Sequence, residues 1–100
     1  SPQNEAYQAA IKTIEDNDFR KFVYGLPGME SSQIRGLYNR WNRGMNPNSL
    51  IKELENIYNR AQSILPLDKQ KPINLSKYEA AEKQKFLETL FLDFSLYLEK

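Results

Sequence analysis

Apolar residues recur along this chain with a helical period from end to end. Tyr7, Ala10, Ile11 and Ile14 stand at i, i+3, i+4 and i+7, one apolar face of a first helix over about residues 4 to 15. Asn17 or Asp18 is suited to cap a short second helix carrying Phe19, Phe22, Val23 and Tyr24. Gly25-Leu26-Pro27-Gly28 ends it, because glycine permits a left-handed turn and proline cannot continue the helix. Ser31 then reads as the N-cap of a third helix with Ile34, Leu37, Tyr38 and Trp41 on its apolar face and Gly44 at its close. Asn46-Pro47 opens a fourth, proline standing where its missing amide costs nothing. Its stripe is Leu50, Leu54, Ile57, Tyr58, Ala61, Ile64 and Leu65. Pro66 to Asn74 reads as a loop, and Ser76 with Glu79 fits a capping box that opens a last helix reaching about Glu99. That helix carries Leu87, Leu90, Phe91, Phe94 and Leu98, flanked by Phe86 and Tyr97. With no alternating run, repeat or low-complexity tract, the pattern predicts a single all-α domain over residues 1–100, a compact bundle of about five helices.

The last helix is apolar on a second face as well. Leu92 and Leu96 are i, i+4 neighbours pointing away from the main stripe, among Lys85, Glu88, Thr89, Ser95 and Glu99. Such a helix is either central in its bundle or gives one face to a protein interface, through docking on a larger subunit or self-association.

Composition removes several kinds of chemistry. There is no His and no Cys, so the commonest general base, the commonest metal ligand and all thiol chemistry are missing. Absence of cysteine is compatible with a cytoplasmic protein. No segment approaches the roughly 20 apolar residues of a membrane span, and the N-terminus lacks a signal-peptide layout. The Ser1-Pro2 start implies a trimmed or processed chain. Fourteen Lys plus Arg against thirteen Asp plus Glu leave a net charge of +1, so only local clustering can speak for nucleic acid.

Catalysis finds little support. Glu15, Asp16, Glu53, Glu55, Glu88 and Asp93 read as scattered over solvent faces, and no phosphate loop or nucleophile elbow appears. The chain is expected not to be an enzyme and to need no cofactor or metal. The third helix is more informative, with Arg35, Arg40 and Arg43 in nine positions and no acid among them. A guanidinium stays charged and donates two parallel hydrogen bonds to a phosphate. The competing reading is an ordinary solvated face. Tyr38 and Trp41 are able to stack on bases, but both fall on the apolar stripe and read as core. A helix–turn–helix reading, with Gln33 and Arg35 at base-reading positions, remains a further alternative.

Ser31-Ser32-Gln33-Ile34-Arg35, followed by Leu37, resembles a segment of the small all-helical subunit of type III-A CRISPR effector complexes, the Csm family. There a Thr/Ser-Ser-Gln-Ile-Arg run opens a helix. Residues 54–61 look like that subunit's second helix, with a Tyr and an Arg close together, and residues 86–97 are similar to its aromatic-rich closing helix. Gly36 stands where the family has a longer polar side chain, and Asn59 rather than glycine precedes Arg60. The resemblance implies a non-catalytic subunit of an antiviral ribonucleoprotein. It would contact guide- and target-RNA backbone and stack on neighbouring subunits. Arg35 is the one RNA contact carried by a matching motif position; Arg40, Arg43, Lys52 and Arg60 are added from local charge. A protein-docking module without nucleic acid, using Leu92 and Leu96, is the alternative.

Overall fold

Helix boundaries in this chain are set by side chains that satisfy backbone groups the helices leave open. The computed structural model describes residues 2–25 and 33–99. Helix α1 is Pro2–Glu15, two residues longer at its start than the periodicity predicts. Asp16, rather than Asn17 or Asp18, caps α2 (Asn17–Phe19), its carboxylate accepting from the amides of Asp18 at 2.8 Å and Phe19 at 3.2 Å. A π turn, Arg20–Tyr24, continues α2 and closes with the Gly25 amide on the Arg20 carbonyl. Helix α3 is Gln33–Asn42; the predicted Ser31 cap and the Leu26 to Gly28 turn lie outside the described residues. Gly44, at φ +85°, ends it in the left-handed conformation.

Helix α4 (Pro47–Gln62) starts as predicted, with the Asn46 side chain accepting from the Asn48 amide at 2.7 Å. It stops before Ile64 and Leu65, which the periodicity counts as core. The Ser63 hydroxyl takes the Arg60 carbonyl, and Pro66 disfavours helical backbone at Leu65, so Ile64 is left 73% exposed. After a 3₁₀ turn (Leu67–Lys69), α5 runs Ala80–Leu98. The capping box predicted at Ser76 and Glu79 is displaced by three residues: the Glu82 carboxylate accepts from the Glu79 amide. Ser76 is held by Glu55 instead, whose carboxylate takes the amides of Leu75 at 2.6 Å and Ser76 at 3.1 Å. Glu55 is thus a loop anchor and not the solvated carboxylate expected from sequence.

The described residues contain no strand, and the fold is an all-α bundle of five helices. Phe86, Leu87, Leu90, Phe91 and Phe94 of α5 form its axis, buried by Phe19, Val23 and Tyr24, by Ile34 and Leu37, and by Leu50, Ile51, Leu54 and Tyr58. Phe86 is fully buried, while Leu98, expected in the stripe, is partly exposed. Tyr38 packs edge-on to Phe94 at 5.4 Å, and Trp41 lies 5.4 Å from Phe91, so both face the core as their positions predict. On α1 the buried positions are Ala6 and Ala10, the latter on the predicted face; half-buried Ile14 packs against the core as predicted, while Tyr7 is exposed and Ile11 half-buried. Small residues at the contact let α1 lie close along α5, its main packing partner.

Asp93 ties three helices together and is not on a solvent face. Its carboxylate accepts from Arg20 Nη1 at 2.8 Å and from the Tyr24 hydroxyl at 2.7 Å. Arg20 also donates to the Ile14 carbonyl at 3.0 Å and lies over the Tyr24 and Tyr97 rings. The Tyr97 hydroxyl donates to the Gly25 carbonyl.

Asp93→Ala strips the acceptor from two part-buried donors, so denaturant titration should show a loss of about 2–4 kcal/mol. Tyr24→Phe, which leaves the Arg20 pair intact, should lose about 1 kcal/mol. Equal losses would show that Arg20 gains nothing from Asp93. Alkali should act through two tyrosines. Burial, then the charges of Asp16 and Asp18, pushes Tyr58 up to about 12 from the usual 10.0. Burial and the Asp93 hydrogen bond raise Tyr24 further. Below pH 10.0 both states keep these protons; above it the unfolded chain ionises first, so stability falls as pH climbs towards about 12. Each tyrosine should contribute about 1.4 kcal/mol per pH unit there, and Tyr58→Phe should make the decline shallower in urea titrations at stepped pH.

Candidate nucleic-acid interface

Helices α3 and α4 pack side by side and carry four of the five basic residues proposed from sequence, with Arg43 following α3 directly. They do not share one environment. Arg40 Nη1 forms an ion pair with the Glu53 carboxylate across the α3–α4 seam at 2.7 Å. Its Nε reaches the Gly36 carbonyl at 3.3 Å and its Nη1 the Met45 sulfur at 3.9 Å. Its charge is therefore spent on holding two helices together. Arg35 is half-buried, whereas Arg43, just beyond the end of α3, is exposed.

Lys52, Asn56 and Arg60 recur at i, i+4 and i+8 of α4, so they form one exposed face. Arg60 makes only a long back-bond, from Nε to the Asn56 carbonyl at 3.4 Å. Beside it is an open depression of about 580 Å³ lined by Asn56, Asn59, Arg60 and Ser63. Asn59 is not available there, because its amide group holds both the carbonyl of Ile73 at 3.2 Å and the amide of Ile73 at 3.0 Å. The two carboxylates of α4 are both engaged: Glu53 by Arg40, and Glu55 by the backbone of Leu75 and Ser76. Among the described residues, Arg43, Lys52 and Arg60 have no carboxylate partner. What this arrangement can do chemically is bind polyanion oxygens from one side. It cannot offer aromatic stacking, since Tyr38 and Trp41 are turned into the core.

Leu92 and Leu96 lie elsewhere, 65% and 53% exposed, on the outer side of α5. Together with Thr89 they form one wall of an open groove of about 390 Å³ whose other wall is Tyr7, Ile11 and Ile14 of α1. Sequence reasoning found the two leucines but read Tyr7 and Ile11 as part of the inward apolar face of α1; Ile14, on that face too, lines the groove and also packs against the core. The signal that distinguishes them is the alanine pair Ala6 and Ala10, whose small size marks the tightest contact. Arg20 was not singled out at all, and no local pattern points to an acceptor 73 residues away. No helix among the described residues is long and apolar enough to cross a membrane.

The partition between bound and available cations is measurable. Arg40→Ala should cost about 0.5–1 kcal/mol in denaturant titration, because the Glu53 pair is solvent-exposed. Lys52→Ala and Arg60→Ala should each stay within about 0.5 kcal/mol of the parent. A larger loss from Lys52 or Arg60 than from Arg40 would reverse the assignment.

Compared with known proteins, the chain matches no family model, no curated protein and no solved structure at a significant level.

Proposed function

We propose that this chain is a non-catalytic, cytoplasmic helical subunit that binds RNA backbone, of the kind that works in type III-A CRISPR ribonucleoproteins. One observation carries the reading. Both carboxylates of α4 are consumed by protein partners, so the Lys52–Asn56–Arg60 face, with Arg43 at the end of α3, presents uncompensated positive charge on a protein of net charge +1. Lysine and arginine alternating with asparagine suit phosphate and sugar oxygens and carry no base-reading pattern. Arg40 acts in this reading by positioning α4, and Arg35, half-buried beside the Ser-Ser-Gln-Ile start, contributes at the edge. The resemblance of residues 31–37 to the small-subunit motif supports the same conclusion independently of charge. A second reading, a docking module for protein, is favoured by the exposed groove between α1 and α5.

Binding to single-stranded RNA should be strong at low salt and fall steeply as salt is raised. Replacing Arg43, Lys52 and Arg60 together by alanine should weaken it at least tenfold, by a rough estimate, and lower the salt slope by about 2, with no change in sequence preference. Fluorescence anisotropy at two salt concentrations measures both. A parent protein that binds no RNA at low salt, or a triple variant that binds like the parent, would sink the proposal; selection of one DNA sequence would favour helix–turn–helix recognition.

A further inference from the structure

We infer that the α1–α5 groove receives a second copy of this chain, with the two α5 helices antiparallel about a two-fold axis beside Leu92. The inference rests on reading the groove as a docking surface and names its occupant. Lys85, Leu92 and Glu99 are seven residues apart on α5, a spacing that keeps all three on one outer face. At the helical rise, Lys85 and Glu99 stand about 10 Å to either side of Leu92. The face therefore carries a cation at its N-terminal end, then Glu88, then the leucines, and an anion at its C-terminal end.

Such a face is complementary to its own reverse. A two-fold axis beside Leu92 brings Lys85 of each copy to Glu99 of the other, twice per dimer, sets Leu92 on Leu92, and lays each Leu96 along the aliphatic stem of the other copy's Glu88. A parallel, in-register pair would instead oppose lysine to lysine and glutamate to glutamate. Neither Lys85 nor Glu99 has an ion-pair partner among the described residues; the Lys85 ammonium stands 5.8 Å from the exposed Tyr7 ring. Glu88 and Asp93 also line the groove beside the leucines: Glu88 accepts from Gln84 Nε2 at 3.3 Å on its own helix, and Asp93 is held by Arg20 and the Tyr24 hydroxyl. The groove supplies what a flat face lacks: Tyr7, Ile11 and Ile14 form a wall against which the second copy's Leu96 can leave water.

The test is sedimentation equilibrium of the whole chain without nucleic acid, at concentrations up to about 200 μM. The parent should dimerise, and Lys85→Glu or Glu99→Lys alone should weaken dimerisation roughly tenfold. The two changes combined in one chain should restore it, because both ion pairs re-form with reversed sign. Leu92→Asp should abolish the dimer while melting like the parent at dilutions where the parent is monomeric, as Leu92 is exposed in the single chain. A parent that stays monomeric, single variants that dimerise unchanged, or a double variant that fails to recover each overturn the pairing. A monomer that still binds RNA overturns only this inference; a dimer that binds no RNA overturns only the RNA reading.

Discussion

The apolar stripe of α5 can leave water only when the other four helices cover it, and the architecture follows from that requirement. Phe86, Leu87, Leu90, Phe91 and Phe94 are each covered almost completely. Burying an aromatic or leucine side chain contributes about 1.5–3 kcal/mol, so this one stripe outweighs any polar contact in the molecule. Aromatic rings from α2 and α3 close round it: Tyr24 against Phe94 at 5.1 Å, and Tyr38 and Trp41 against Phe91. Because Tyr38 and Trp41 are recruited to this task, α3 keeps only its polar edge for any ligand.

Polar side chains then fix the register that hydrophobic burial leaves loose. Asp93 receives Arg20 and Tyr24, linking the ends of α1 and α2 to the middle of α5. Glu55 caps the approach to α5, Asn59 pins Ile73, and Gln62 accepts from the Lys71 amide. Three consecutive turns of α4 thus organise the loop that follows it. The side of α4 that faces water is left with lysine, arginine and asparagine. Structural use of the α4 carboxylates is what leaves these cations without a carboxylate partner among the described residues.

The two exposed features occupy different elements. The cationic face belongs to α4 and the end of α3, the apolar groove to α1 and α5. In the proposed reading, a polyanion meets one of these sides and a protein the other.

Helical period, the Asn46-Pro47 start and the Gly44 stop were legible because each depends on neighbours a few residues away. So were most buried positions of α4 and α5, whereas for Leu92 and Leu96 the sequence left a central and an outward position equally open. The failures share a different cause. Ser76 looks like an N-cap until the Glu55 carboxylate, 21 residues earlier, takes its amide. Tyr7 looks like core until the closer approach permitted by Ala6 and Ala10 rotates α1 against α5. Arg40 looks available until Glu53 meets it across the seam. Local backbone satisfaction and periodicity are written into adjacent residues, so the sequence by itself determined an all-α chain and its helix faces. Which charges remain free, and which apolar face stays uncovered, depend on pairings between distant segments. Only the tertiary structure could decide those.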